Sequence, residues 1–371
     1  MAAKRKKMVR RSARRTKKAT GKGNGTLTAA VAIIILLAVI AAGIWWWRSR
    51  PEKTIWPVPD EGKVAYLTLY FPDSSDNFLI PVQRKVTLGK VENKYVRAIK
   101  ELLRGPYEDP ENLLPSMPAR CNVLSVEVAG KTARVDFNSL TLDLLDETSE
   151  TWFYKSVMHT LAAFDEVDRV DFSFEGRRIA ALPKGTDVSQ PRTPGDINIS
   201  NAPLPKGDTD KIVLYFPDKS KRYLIPITEY IPGQASKTAL VGTTMRRFIE
   251  GPAREDRDYL GPVFNEGVSV QDQGGIVEEN GKLRLAFDMP DLTTAMAIDG
   301  ERALTALRAT FKQLIDFTKF DVTINGRPAS DVIGSPVPVN EISPNDVINL
   351  LAAPEPVKQA VNGKGNEEVG K

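Results

Sequence analysis

One histidine, one cysteine and a scatter of carboxylates are what this 371-residue chain offers to chemistry. His159 lies two residues after Val157 and two before Leu161. On a helix that is about 200° from either apolar neighbour, so its ring is expected to face solvent. Cys121 precedes a predicted strand and is read as a buried or half-buried spectator. A thiol nucleophile needs a base beside it, and the single imidazole is turned away. A pair of carboxylates suffices to cleave a glycosidic bond, and Asp136 and Asp171 lie near strand ends. With one Cys and one His, an intramolecular disulfide and a multi-Cys zinc site are excluded. Gly89–Lys90 and Gly281–Lys282 lack the remainder of a phosphate loop. The residues therefore predict no catalytic, cofactor-binding or metal-binding site, and no enzyme.

The chain contains its own control for these assignments. The segment Leu69, Tyr70, Phe71, Pro72, Asp73 recurs as Leu214, Tyr215, Phe216, Pro217, Asp218, and Leu-Ile-Pro follows each at the same distance. A residue essential to the fold should recur, at this offset of 145 in the first elements and at 150 in the later ones. The candidates for chemistry do not. His159 aligns with Ala309, Cys121 with about Asn265, and Asp136 with Ala286, although Asp171 aligns with Asp321. Asp73 and Asp218, each after Phe-Pro, are read as turn formers.

The elements that would position these residues also appear twice. Val64–Phe71 and Lys211–Phe216 are strand-like, and a short extended piece follows each. Tyr95, Ile99, Leu102 and Leu103 share one helical spacing with Val241, Met245, Phe248 and Ile249. Both helices stop at Gly-Pro, Gly105–Pro106 and Gly251–Pro252, where Gly supplies the left-handed cap and Pro cannot continue. A hairpin pattern, a second amphipathic helix and a last strand ending in a turn complete each unit. The order β-β-α-β-β-α-β predicts an α+β architecture of two tandem small domains, each with two helices on one face of a mixed sheet. The first domain is placed at residues 63–182, a linker at 183–209, and the second domain at 210–330. Residues 331–371 read as a mostly irregular tail, with room for one short helix near Asn345–Ala353.

The N-terminal segment is of another kind. Residues 1–50 hold thirteen Lys or Arg and no Asp or Glu, which leaves 38 basic against 47 acidic residues in the body. Leu27–Trp47 is a run of 21 uncharged, mainly apolar residues, long enough as a helix to span about 30 Å of hydrocarbon. Its end in three tryptophans suits a retained anchor at the membrane interface. Residues 1–26, rich in Lys and Arg, are then a cytoplasmic tail, and residues 48–62 a linker to exported domains. The tail can touch anionic lipid, and without interleaved aromatic residues it is not read as a nucleic-acid arm.

LYFPD with LIP, the helix closing on LLRGP, LPSMPARCNVLSVEVAGKTARVDF and VDFSFEGR resemble the GerMN domain family of sporulation and germination proteins. The resemblance covers both units, and the second departs from it over Gly261–Gly281. It implies a non-enzymatic role at the septal membranes of a sporulating cell, beside a transenvelope assembly, with modules that associate side by side in rings. The expected partners are envelope or sporulation-assembly proteins, with homo-oligomers included. The alternatives are a binding module for wall glycan or a small ligand, using one aromatic of each Tyr-Phe pair, and, further off, a carboxylate hydrolase.

Overall fold

The computed structural model describes residues 62–271, 275–291, 296–333 and 348–351. The basic head, the apolar run Leu27–Trp47 and most of the tail lie outside these residues. Among the described residues no helix is long and apolar enough to cross a membrane.

Each domain begins with a hairpin. β1 (Lys63–Pro72) pairs antiparallel with β2 (Leu79–Leu88). Alternation along β1 buries Leu67, Leu69 and Phe71 on one face and turns Tyr66, Thr68 and Tyr70 to the other. Helix α1 (Lys94–Leu103) starts where Asn93 accepts the Tyr95 and Val96 amides, and buries Ile99 and Leu102. Next come β3 (Val123–Ala129) and β4 (Thr132–Phe137), an antiparallel pair with an irregularity between Val123 and Ser125. A short α2 (Leu140–Leu144) precedes α3 (Glu147–Ala162), which opens with an Asp146–Ser149 capping box. β5 (Arg169–Phe174) then joins β4 in parallel, with α3 as its crossover.

The second domain repeats this order. β6 (Thr209–Pro217) and β7 (Leu224–Pro232) form the hairpin, and α4 (Lys237–Glu250) follows. β8 (Ser269–Val270) and β9 (Ile276–Glu279) both pair antiparallel with β10 (Lys282–Asp288). α5 (Gly300–Lys312) leads to β11 (Lys319–Ile324), parallel to β10, and then to β12 (Arg327–Pro328) and α6 (Ala329–Ile333). The longer hairpin connection of this domain thus contains a strand of its own.

The single mixed sheet expected in each domain is instead two separate sheets. The hairpin stands apart from the three-stranded β3-β4-β5 set, and β6-β7 from the β8–β12 set. The hairpin edges explain this, because both are already occupied. The Tyr70 amide on β1 donates to Thr160 Oγ1 of α3 at 3.1 Å, and the Tyr215 amide to Thr310 Oγ1 of α5 at 3.2 Å. The outer edge of β2 carries β13 (Leu350–Leu351), in parallel, and β7 carries Ile199. The short helix expected near Asn345–Ala353 is corrected on the same ground: its described part is extended, because Leu350 and Leu351 pair with Gln83 and Arg84.

Candidate functional site

The repeated turn residues have a common geometry. Asp73 Oδ1 accepts the amides of Asn77 (2.8 Å) and Phe78 (2.7 Å), and Oδ2 accepts that of Ser75. Asp218 binds Ser220 and Tyr223 in the same way. Pro72 and Pro217 end their strands immediately before these turns. Gly105 and Gly251, each followed by Pro, have φ of +75° and +79°, a conformation that only glycine adopts without strain. The LYFPD and Gly-Pro residues therefore serve turns, strand pairing and helix ends. Leu69, Phe71, Leu214 and Phe216 are fully buried, while Tyr70 and Tyr215 are half-buried on the opposite face.

Leu-Ile-Pro serves the junction between the domains. Asn198 Nδ2 donates to the carbonyls of Leu79 and Pro226, both at 2.8 Å, and its Oδ1 accepts the Leu79 amide at 2.7 Å. Asn349 reproduces this from the other side. Its Nδ2 donates to the carbonyls of Pro81 (2.7 Å) and Leu224 (2.9 Å), and its Oδ1 accepts the Leu224 amide at 2.8 Å. Each asparagine sits just after one domain and joins both hairpins. The main chains follow the same exchange: the Thr228 amide donates to the Asn198 carbonyl, and the Gln83 amide to that of Asn349. The two domains are thus related by an approximate two-fold axis, and the segment after each one completes the edge of the other. Asn198 has φ +47°, which asparagine tolerates better than most residues. This junction was not read from the sequence, although Ile197–Asn198–Ile199 recurs as Ile348–Asn349–Leu350. The repeat of three residues at an offset of 151, close to that of the second helix pair, was the available signal.

Buried charge also follows the repeat, with its sign reversed. Arg84 of β2 meets Glu101 of α1 at 3.2 Å and Glu108 beyond it, and donates to the Gly105 carbonyl at 2.8 Å. At the equivalent positions Glu229 of β7 meets Arg247 of α4 at 2.9 Å. Burial raises the Glu229 pKa, and Arg247 only partly offsets it.

The candidates for chemistry are dispersed. Asp136 Oδ1 accepts from Ser173 Oγ (2.8 Å) and from the Gly176 amide (2.9 Å), which fixes the turn after β5. Asp171 binds the guanidinium groups of Arg134 and Arg178. Asp136 is occupied by local structure, and Asp171 holds both arginines through Oδ2 while its Oδ1 is buried without a partner. Cys121 is half-buried, and burial pushes its thiol pKa up. Among the described residues no group of three or more His, Cys, Asp or Glu side chains could hold a metal ion.

His159 departs from the expectation of a solvent-facing ring. It is half-buried and packs against Tyr70, with ring centroids 5.3 Å apart and the planes tilted by 38°. The residues after the first domain explain the difference, since Asp196, Ile197 and Asn198 line the same cleft. A helical wheel registers the apolar stripe facing the domain core, not a second face covered by a later segment. Burial, with the nearby Lys155 charge, lowers the imidazole pKa to about 4, so the ring is neutral near pH 7. Burial likewise pushes the Tyr70 phenol up to about 12 and raises that of Tyr215, to which Tyr70 adds. The tyrosine face of each hairpin is thus turned toward the junction. A cleft of 490 Å³ there is lined by Tyr66 and Thr68 from one domain and Tyr215 and Arg308 from the other.

These features define a class: a tandem pair of small α+β modules joined about an approximate two-fold axis, with the repeated residues given to folding and joining. A family model described as Germane, sporulation and spore germination, matches residues 68–180 and 213–330. The chain belongs to that family. Its fold is similar to the tandem GerMN domains of the sporulation protein GerM from Bacillus subtilis, at 20% identity and a TM-score of 0.59, covering 78% of this chain and 99% of that one. The first GerMN domain of the same protein matches at 25% identity over 35% of this chain and 97% of that chain, with a TM-score of 0.29. A putative lipoprotein from Clostridium perfringens matches at 19% identity over 36% and 90%, with a TM-score of 0.27. No curated protein matches the chain.

Proposed function

We propose that this protein is a non-enzymatic interaction scaffold of the cell envelope that acts in sporulation or germination. In this reading Leu27–Trp47 anchors it in the cytoplasmic membrane, its N-terminus is inside, and both domains lie outside, where they bind other assembly proteins. The observation that carries the reading is the pair of asparagine clips, which join two family domains into one body of fixed geometry. A body of this kind can hold partners at a set spacing, which is the use of a pre-organised surface. The occupation of Asp136 and Asp171 by turn and arginine contacts supports the non-enzymatic part.

The test is genetic and topological. Deletion of the gene in its host should lower the yield of heat-resistant spores. The Asp136→Asn/Asp171→Asn double variant should restore that yield. A reporter fused to the C-terminus should be active only outside the cytoplasm. A folded double variant that fails to complement would overturn the non-enzymatic claim, and a cytoplasmic C-terminus would overturn the placement.

A further inference from the structure

The residues that fail to recur between the two domains are not scattered at random. His159, Trp152 and Lys155 share one face of α3, and with Asp196, Tyr259 and Asn77 they line one cleft of 470 Å³. That volume is within the roughly 300–1,000 Å³ typical of small-molecule sites. At the equivalent positions the second domain and its tail have Ala309, Arg302, Thr305, Val347 and Arg222, and the first domain has Asn112 where the second has Tyr259. The framework around the cleft does recur: Asn198 with Asn349, and Phe78 with Tyr223.

Folding alone does not account for this asymmetry. Ala309 shows that the fold accepts a methyl group where His159 stands. His159 is half-buried in the cleft lining, and its ring nitrogens are not among the buried polar atoms left without a partner, so they open on the cleft. Partial burial disfavours the charged form of the ring, a cost that alanine avoids. Groups held at such a cost in a cleft mark functional sites more often than chance.

The chemistry of the lining selects the ligand. A neutral imidazole offers one donor and one acceptor, which matches a hydroxyl group. Trp152 is half-buried and Tyr259 is 41% exposed, so aromatic surface is available to the C–H face of a sugar ring. Lys155 is the one cation in the lining, and its ammonium lies 5.3 Å from the Trp152 ring. Asp196, the one carboxylate, is committed to Lys211 and Tyr230. One ammonium, already against the Trp152 ring, is too little charge for a polyphosphate and suits a sugar hydroxyl or a single carboxylate. The floor is fixed in advance by the three side-chain hydrogen bonds of Asn198. We propose that this cleft is a saccharide-binding site for an amino-sugar glycan, with Trp152 and Tyr259 against the ring and His159 on a hydroxyl or acetamido group. This goes beyond the scaffold function, which can hold whether or not the cleft is filled.

The experiment uses the full-length chain purified in detergent, with N-acetylglucosamine tetramer as the probe. Binding is followed by saturation-transfer NMR and titration calorimetry. Saturable binding at millimolar or lower probe is expected. His159→Gln and Trp152→Ala, each with an unchanged circular dichroism spectrum, should weaken it about tenfold or more. Thr305→Ala, at the position in the second domain that corresponds to Lys155, should leave it unchanged. No binding at millimolar probe overturns the proposal, as does binding that both cleft variants leave intact. Binding of a wall stem peptide in place of the sugar overturns the ligand class. If either variant unfolds, Lys155→Gln with Tyr259→Ala carries the same test.

Discussion

Replacing Asn349 by alanine removes three side-chain hydrogen bonds at once, to Pro81 in one domain and to both main-chain groups of Leu224 in the other. Each is worth about 0.5–1.5 kcal/mol net, and an orphaned buried group can cost about 1–3 kcal/mol. Leu224 is fully buried and Pro81 is buried, so water cannot easily take the vacated positions. The loss should be about 3 kcal/mol, in the upper part of the range for single substitutions. Because the bonds cross between domains, the shape of the transition should change as well. The unmodified protein should unfold in urea as one transition by far-UV circular dichroism, and Asn349→Ala should separate it into two. Asn349→Asp keeps one acceptor, loses both donors and buries a charge, so it should be worse than alanine. A loss below about 0.5 kcal/mol, with a single transition retained, would refute the view that these clips join the domains.

Three further outcomes follow from the described geometry. Arg84→Met leaves Glu108 buried without its cation, while Glu101 keeps Arg97 and Arg104, and should cost about 3–5 kcal/mol, measured by urea denaturation; adding Glu108→Gln should recover part of it. His159 has a folded pKa near 4 against 6.5 for the ordinary imidazole, so the unfolded chain binds the extra proton first as pH falls. Its contribution is therefore complete above about pH 6.5 and lost by about pH 4, up to roughly 3 kcal/mol, and this pH dependence should vanish in His159→Ala. Thr160→Ala and Thr310→Ala each remove an acceptor from a hairpin-edge amide and should cost about 1 kcal/mol each, adding in the double variant when followed by thermal denaturation.

Local patterns were read well from the sequence where one element sets its own geometry. The alternation of Leu67, Leu69 and Phe71, the stripe of Ile99 and Leu102, and the Gly-Pro stops each depend on near neighbours in the chain. Sheet membership was misread because it depends on who occupies a strand edge. Thr160 and Leu350 reach the hairpin from 90 and 267 residues away, counted from Tyr70 and Gln83. His159 was misplaced for a related reason, since the segment covering it lies past the end of the domain. The charge-reversed pair Arg84–Glu101 and Glu229–Arg247 was visible in the alignment of the two copies. Identity between the copies does not register it, because the sign is swapped. The candidate cleft was equally visible as a list of residues that differ between copies, but only the fold shows that they meet.

A two-fold contact is self-saturating: once each half has met the other, neither has that surface left to offer. Here both halves belong to one polypeptide, so the backbone edges of the two hairpins are consumed within the molecule. A single domain cut away at residue 182 would leave the outer edge of β2 bare, a template for any passing strand. The duplicated chain is in this sense an internal dimer, capped against its own aggregation. If copies of it associate into larger arrays, their contacts must come from the outward helices and the β3-β4-β5 and β8–β12 sheets, not from the repeated hairpin strands that first made the duplication visible.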